Sequence, residues 1–253
     1  MSRHDQDEHD DLPMVTVSEH AGVRYLHLDT PWVQGAMRLA KPDAIELEYV
    51  RRMLASLLWR SIDELAQGHA VQLGLGAAAI TRFTHGRLSW RTTAIELNPA
   101  VIRACRMCFR LPPDGAGLQV LCEDAGRWMA RAAPPGGIDL LHVDLYDHEA
   151  AAPVLDSEAF YADCHAALAP GGVMAVNLFG RLSSFDQSAQ RIAAAFGRHQ
   201  TWRVQATKEG NTVVVAGRGV SVPGRDELLS RAHFIEERLG LPATKWLRMI
   251  RPL

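Results

Sequence analysis

The sequence has few cysteines, no long apolar run and almost no net charge. Its 253 residues include 4 Cys, 27 Lys and Arg, and 29 Asp and Glu, so the formal net charge is −2. Such a chain has no electric field that favours nucleic acid or an anionic membrane, and we expect neither as a partner. No stretch of about 18 apolar residues is present, so no transmembrane helix is predicted. The scarcity of cysteine and the lack of an apolar N-terminal signal region favour a reduced, cytoplasmic protein.

The cysteine spacing offers one candidate metal or redox pair, Cys105 and Cys108. Cys122 and Cys164 are isolated, so no second pair stands at zinc-ligand spacing, and the candidate pair falls inside a helical pattern. We therefore expect no metal site.

What the chain does contain is typical of a soluble globular protein, with 47% apolar and 22% charged residues. Its length suits one large α/β domain with a smaller unit attached. We divide it into an acidic, disordered tail over residues 1–12, a small β-unit and linking helix over 13–66, and a Rossmann-like catalytic domain over 67–253.

The stretch Ala70–Ala79 organises the main domain. Its pattern predicts a buried strand, a tight turn containing Gly74 and Gly76, and the first turn of a helix. A helix N-terminus has unpaired N–H groups and a partial positive charge, and glycine lets a ligand approach the backbone closely. Gly-x-Gly-x-x-Ala is the relaxed nucleotide-binding fingerprint, although a plain strand–helix turn would give the same pattern.

Strands and helices alternate after the glycine turn, which predicts a doubly wound, mostly parallel, seven-stranded sheet. A short loop joins the last two predicted strands, 202–206 and 212–216, and this indicates a hairpin with one antiparallel strand at an edge. The C-terminal segment from Arg225 is predicted to be helical. In the β-unit, we expect strands at 14–18, 23–28 and 33–39, followed by a helix that opens at Pro42.

Acidic residues stand at the strand ends, where ligands bind in an open parallel sheet. Glu96 lies about 20 residues after the glycines, where a carboxylate can accept both hydroxyls of a ribose. Asp124 ends the next strand, where it can accept from the amino group of adenine. Asp124 is also placed to cap the helix that begins at Ala125.

Asp144 and Asp147 flank the loop after the fourth strand of this domain. Carboxylates there can hold a cationic substrate, and one of them can take a proton from an ammonium nucleophile. Tyr146 can stack on a ligand or hydrogen-bond to it. The alternative is a loop with two solvated acids and a half-buried tyrosine.

The residues resemble the spermidine synthase family of polyamine aminopropyltransferases, which is built on the class I S-adenosylmethionine-dependent methyltransferase fold. The resemblance covers roughly residues 23 to 180. It is carried by Leu28-Asp29 with Gln34, Gly74-Leu75-Gly76, Ile95–Ile102, Glu123-Asp124-Ala125, Val143-Asp144 and Leu168–Val173. The later motifs are shared with many methyltransferases, whereas the small β-unit in front is more specific to the family.

The resemblance implies an adenosyl co-substrate, either S-adenosylmethionine or its decarboxylated form, and a small amine acceptor. It implies contacts to the adenosyl group from Gln34, Gly74, Gly76, Glu96 and Asp124, with Glu96 on the ribose and Asp124 on the adenine. Asp144 would be the catalytic base. Tyr146 and Asp147 are candidate substrate contacts from their position in the next loop alone, and the resemblance does not imply them.

Three departures from the family's pattern affect the amine end. The family carries an aspartate after its glycines, which meets the amine of the aminopropyl group, where this chain has Ala77. Val50, Arg51 and Arg52 replace Tyr-His-Glu on the first helix, and two cations near a diamine pocket oppose diamine binding unless they point to solvent. The loop after Asp144 lacks the family's Ser/Thr-Asp-Pro.

Aminopropyl transfer is therefore the leading hypothesis, and three others stay open. Methyl transfer to another acceptor is favoured by Ala77. An NAD-dependent oxidoreductase would share the glycine turn and Glu96, but it gives no reason for Asp124 or for the β-unit. A non-catalytic family member that binds a nucleoside would tolerate the altered motifs. We also expect a homodimer, because the β-unit is too small to bury much core alone.

Overall fold

The computed structural model describes residues 12–145, 155–179 and 182–253, and of these it leaves out the side chains of residues 182 and 183. The predicted disordered tail falls outside the described residues except for its last residue, Leu12. The predicted domain boundary at residues 66/67 stays a prediction.

The β-unit is a three-stranded antiparallel sheet in the order β1-β2-β3. Its strands are β1 (Val15–His20), β2 (Val23–Leu28) and β3 (Gly35–Arg38). The two-residue turn between β1 and β2 has positive φ at both Ala21 (49°) and Gly22 (75°), which matches the twist of a tight hairpin. This unit was predicted from short β-like runs separated by turn residues, and it leads the chain into the main domain.

The main sheet has eight strands in the order β11-β9-β10-β8-β7-β4-β5-β6. They are β4 (His69–Leu73), β5 (Arg91–Glu96), β6 (Leu118–Cys122), β7 (Ile138–Val143), β8 (Leu168–Phe179), β9 (Thr201–Val204), β10 (Asn211–Gly217) and β11 (Ile250–Pro252). Strands β4 to β8 pair in parallel, and the predicted doubly wound class is confirmed.

Two details of the predicted sheet were wrong. The predicted seven strands are eight, because Ile250–Pro252 pairs with β9 at the end of a segment expected to be helical. The antiparallel strand was expected at an edge, but β10 lies inside the sheet between β8 and β9. Strand β11 covers the outer side of β9 and becomes the edge.

Helices lie on both faces of the sheet. They are α1 (Glu48–Met53), α2 (Ala79–Arg82), α3 (Pro99–Cys108), α4 (Ala125–Arg131), α5 (Glu158–Ala167), α6 (Leu182–Phe196), α7 (Arg225–Leu239) and α8 (Ala243–Trp246). Short 3-10 segments occupy Leu54–Trp59, Asp63–Leu65 and Arg198–Gln200, and a π-turn follows α2 at Phe83–Arg87. Within the described ranges, none of the helices combines the length and apolar character needed to cross a membrane.

The helix expected to open at Pro42 begins only at Glu48 and continues as the 3-10 segment Leu54–Trp59. All six residues of that segment are buried against one face of the sheet, so tertiary packing outweighs α-helical regularity there. Helices α4, α5 and α6 cover the other face.

The amino ends of the central strands carry a network of polar side chains. Arg60 Nη2 lies 3.0 Å from Asp139 Oδ1, and the backbone N–H of His69 donates to Asp139 Oδ2 over 2.9 Å. His69 Nε2 lies 3.0 Å from Thr93 Oγ1. Asp139 therefore has a cationic partner inside the protein, and the network joins β4, β5 and β7.

Candidate active site

A cavity of about 570 Å³ opens at the carboxyl ends of the central strands and is bordered by the β-unit. Its size suits a small-molecule ligand. Four carboxylates line it: Glu96, Asp124, Asp144 and Glu209. Among its described lining residues, none is Lys, Arg or His. The remaining lining is mostly apolar, so the cavity combines negative charge with apolar walls.

The glycine turn forms one wall of this cavity. Gly74 and Gly76 have φ values of 83° and 50°, and a Cβ at Gly74 would lie 2.2 Å from the carbonyl oxygen of Asp144. Only glycine fits this approach between the turn and the loop after β7. Gln72 braces the turn, because its Nε2 donates to the carbonyl of Gly74 over 2.7 Å while its Oε1 accepts from Thr81 over 2.6 Å.

Glu96, at the end of β5, is tied to the glycine turn. Its Oε2 accepts from the N–H of Leu75 and its Oε1 from the N–H of Asn98, each over 2.8 Å. Burial raises the pKa of Glu96, and these backbone hydrogen bonds oppose that rise. A carboxylate has about four acceptor positions, so these backbone hydrogen bonds do not use all of them.

Asp124 lies on the wall formed by the end of β6. Its Oδ1 accepts from the N–H of Arg127 over 2.7 Å, so Asp124 caps α4 as the alternative hypothesis held. The same side chain lines the cavity. Capping therefore fixes the carboxylate in place without removing it from the ligand's reach.

Asp144, directly after β7, lies where the cavity meets α1. Its Oδ2 accepts from the Tyr49 hydroxyl over 3.1 Å and its Oδ1 from Asn177 Nδ2 over 2.9 Å. Burial raises the pKa of Asp144, and the two hydrogen bonds oppose that rise. Both donors are neutral, so the carboxylate is oriented without being neutralised.

Tyr49, Asn177 and Asn211 were missed by the sequence reasoning. Asn211 Nδ2 donates to Asn177 Oδ1 over 3.1 Å, which extends the hydrogen bonds of Asp144 from β8 to β10. All three line the cavity. The tyrosine of the family's Tyr-His-Glu motif aligns with Val50, and Tyr49 is the residue directly before it. Allowing the motif to shift by one residue would have identified Tyr49.

The predicted contact residue Gln34 lines the cavity, and its neighbour Gly35 joins the β-unit to the glycine turn. A Cβ at Gly35 would lie 2.4 Å from the backbone nitrogen of Ala77. Ala77 is only 2% exposed and borders a side cavity of about 20 Å³ together with Tyr49 and Asp144. With alanine at this position, Asp144 is the carboxylate that remains beside that space.

Arg51 and Arg52 do not line the cavity. Arg51 Nε donates to the carbonyl of Ile45 over 2.7 Å. Arg52 pairs with Glu48 over 3.0 Å and donates to the carbonyl of Gln205. The expected conflict between these two cations and a diamine is thus reduced, because both are bound within the protein rather than aimed at the cavity.

Trp32 lies at the rim of the cavity, on the loop between β2 and β3, and is 57% exposed. Leu12 and Pro13 border the cavity near Asn98, whose Nδ2 donates to the carbonyl of Pro13 over 2.8 Å. The β-unit and the residues before it therefore cover the end of the cavity beside Asn98.

The predicted acceptor residues Tyr146 and Asp147 lie outside the described residues. Over the described ranges, no group of three or more His, Cys, Asp and Glu is arranged to hold a metal ion.

Relatives of known name are similar over most of the chain. A polyamine aminopropyltransferase of Neisseria meningitidis is 30% identical over 232 residues, which are 91% of this chain and 86% of the relative. One of Chromobacterium violaceum is 29% identical over 242 residues, 95% and 90% of the two chains. The crystal structure of a probable spermidine synthase from Corynebacterium glutamicum superposes with a TM-score of 0.74 at 20% identity, covering 92% of this chain and 86% of the other. No family profile matches.

Proposed function

Because the chain belongs to the polyamine aminopropyltransferase family, we propose that it transfers the aminopropyl group of decarboxylated S-adenosylmethionine to a small amine. The observation that carries this choice of donor is the charge of the cavity, whose described lining has four carboxylates and no cationic side chain. The carboxylate of S-adenosylmethionine would find no counter-ion there, whereas the decarboxylated donor and an ammonium acceptor would both be attracted.

In this proposal, the nucleoside lies along the glycine turn. Glu96 accepts from the ribose hydroxyls with the acceptor positions left free by Leu75 and Asn98. Asp124 accepts from the adenine amino group, and Gln34, Gly74 and Gly76 supply the walls.

Asp144 is the proposed base. Its carboxylate is held by hydrogen bonds from Tyr49 and Asn177. In its ionised form it accepts a proton from the acceptor's ammonium group. The freed nitrogen lone pair forms the new N–C bond to the propyl carbon, and the electrons of the C–S bond return to sulfur. The sulfonium, when bound, supplies a neutral leaving group, methylthioadenosine. The role of the protein is to orient the acceptor and to surround with carboxylates the positive charge as it passes from sulfur to the attacking nitrogen.

The first test is calorimetric titration of the protein with S-adenosylmethionine and, separately, with its decarboxylated form. We expect tighter binding of the decarboxylated form, followed by methylthioadenosine release when a diamine is added. Tighter binding of the carboxylated form would favour methyl transfer instead. Binding of neither would contradict the adenosyl site.

The competing functions have less support. The relatives named above are polyamine aminopropyltransferases, so methyl transfer and hydride transfer are not favoured. Since such relatives are enzymes by name, a non-catalytic role is also disfavoured.

We also propose a cytoplasmic homodimer that associates through the β-unit. The outer edge of β1 is unpaired in the described sheet, and Met14 and Val17 beside it are 66% and 39% exposed. A monomer in sedimentation at micromolar concentration would contradict the dimer.

A further inference from the structure

The loop between β9 and β10 brings a carboxylate to the cavity that the family motifs do not contain. This carboxylate is Glu209, one of the four that line the cavity. It stands in a tight turn, in which the N–H of Thr207 donates to the carbonyl of Asn211 over 2.8 Å and the N–H of Gly210 to the carbonyl of Thr207 over 3.2 Å. Gly210 has a φ of 100°, and a Cβ there would lie 3.3 Å from the ring of Phe179.

Hydrogen bonds fix this loop relative to Asp144. Asn177 donates to Asp144 over 2.9 Å and accepts from Asn211 over 3.1 Å. The N–H of Asn211 in turn donates to Thr207 Oγ1 over 3.2 Å. The two carboxylates therefore stand at opposite ends of one hydrogen-bonded chain, and Phe179 lies in the same wall. A polar group at each end with an aromatic surface in the same wall suits a ligand with two charges and an apolar middle.

Among the described residues, no ion-pair partner is found for Glu209. Its pKa is lowered by hydrogen bonds from its own backbone and from Thr207, with a further contribution from the charges of Arg52 and Lys208. Arg52 is instead paired with Glu48, over 3.0 Å. The negative charge therefore remains available at the mouth of the cavity.

We propose that Glu209 determines acceptor specificity by binding the second ammonium group of a linear diamine, while Asp144 takes the reacting nitrogen. This inference rests on the proposed aminopropyl transfer. The methylene chain of the acceptor lies along Phe179, and Asn211 holds the loop at the correct distance from Asp144. A monoamine of the same length makes every contact except the one with Glu209.

The experiment compares 1,4-diaminobutane with n-butylamine as acceptors, with methylthioadenosine release as the readout. For Glu209→Gln, we expect kcat/KM to fall about tenfold for the diamine and to stay unchanged for the monoamine, because only the diamine loses a charged partner. Glu209→Asp should recover part of the loss. Glu237→Gln, which removes an exposed carboxylate from α7, is the matched control and should change neither value.

An equal fall for both amines would overturn the inference, since it would mean that Glu209 only supports the loop. Unchanged values for both would overturn it as well. If the unaltered protein released no methylthioadenosine with any amine, the proposed function would fail and the inference with it. An active enzyme whose Glu209→Gln variant keeps its preference for the diamine would overturn the inference alone.

Discussion

The two ends of strand β7 carry two aspartates with opposite surroundings. Asp139, at the amino end, pairs with Arg60 over 3.0 Å and accepts from the backbone of His69. Asp144, beyond the carboxyl end, accepts only from the neutral groups of Tyr49 and Asn177 among its described partners. The first carboxylate has its counter-ion within the protein, whereas the second requires one from outside.

This difference separates a structural charge from a functional one. A buried carboxylate without a cation raises the free energy of the folded protein, as the raised pKa of Asp144 indicates. Such a group is retained when a ligand supplies the missing charge. The four following changes test this comparison, from the largest expected effect to the smallest.

Asp144→Asn should lower the turnover of aminopropyl transfer by about 100-fold or more, because the base is lost while its shape is kept. Because burial raises the pKa of Asp144, its ionised form disfavours the folded state. The free energy of unfolding should therefore not fall by more than about 1 kcal/mol, since one donor to the side chain loses its acceptor. Steady-state kinetics measures the turnover, and urea unfolding measures the free energy of unfolding. A variant with full activity would remove Asp144 from the mechanism.

His142, the last residue but one of β7, tests a titratable side chain that lies between the two aspartates. It is fully buried, and burial lowers its pKa from 6.5 to about 4. The unfolded chain therefore binds this proton more tightly, and stability is lost as the pH falls from 6.5 towards 4, by about 3 kcal/mol at most. His142→Leu should flatten this dependence, whereas His233→Leu, at an exposed position, should not. If the unaltered protein and the two variants showed the same dependence of stability on pH, His142 would not be the group responsible.

Asp139→Asn is the corresponding change to Asp144→Asn at the amino end of β7. It leaves the buried guanidinium of Arg60 without its counter-ion, so unfolding should become easier by about 2 kcal/mol, less than for a fully buried pair because Asp139 is partly exposed. The KM and kcat of aminopropyl transfer should be unchanged at temperatures where the variant is folded. Loss of activity with unchanged stability would reverse the comparison.

Ala78→Gly addresses the glycine turn at the carboxyl end. Ala78 is fully buried with a φ of 57°, a conformation that costs a non-glycine residue about 1–2 kcal/mol. Removing its buried methyl group costs about 0.8 kcal/mol of hydrophobic stabilisation. We therefore expect the free energy of unfolding, measured by thermal unfolding, to rise by about 0.5 kcal/mol. Ala77→Gly, at a position without positive φ, should destabilise instead. A gain for both would show that strain at Ala78 is not the cause.

The architecture could be predicted from the sequence because each element of the parallel domain had a local signal. The glycine turn, Pro99 after Asn98, and Asp124 before α4 mark strand and helix ends through short-range chemistry. Strand β11 lacked such a signal, since three residues that include a proline form a strand only by pairing with β9.

The site was only partly predictable for the same reason. Glu96, Asp124 and Asp144 could be found because strand ends are defined locally. Tyr49 and Asn177 could not, because they meet at Asp144 from positions 95 and 33 residues away along the chain. Their convergence depends on how α1 and β8 pack.

The rim of the cavity also gives the protein an optical indicator of its own. Trp32 is 57% exposed, whereas the other five tryptophans are each at most 8% exposed. Emission that aqueous quenchers can reach therefore originates from a single indole, and that indole borders the cavity. A ligand that excludes water from the rim should shift this emission to shorter wavelengths and protect it from iodide. Occupancy could thus be followed by fluorescence with no label attached, even for ligands that undergo no reaction.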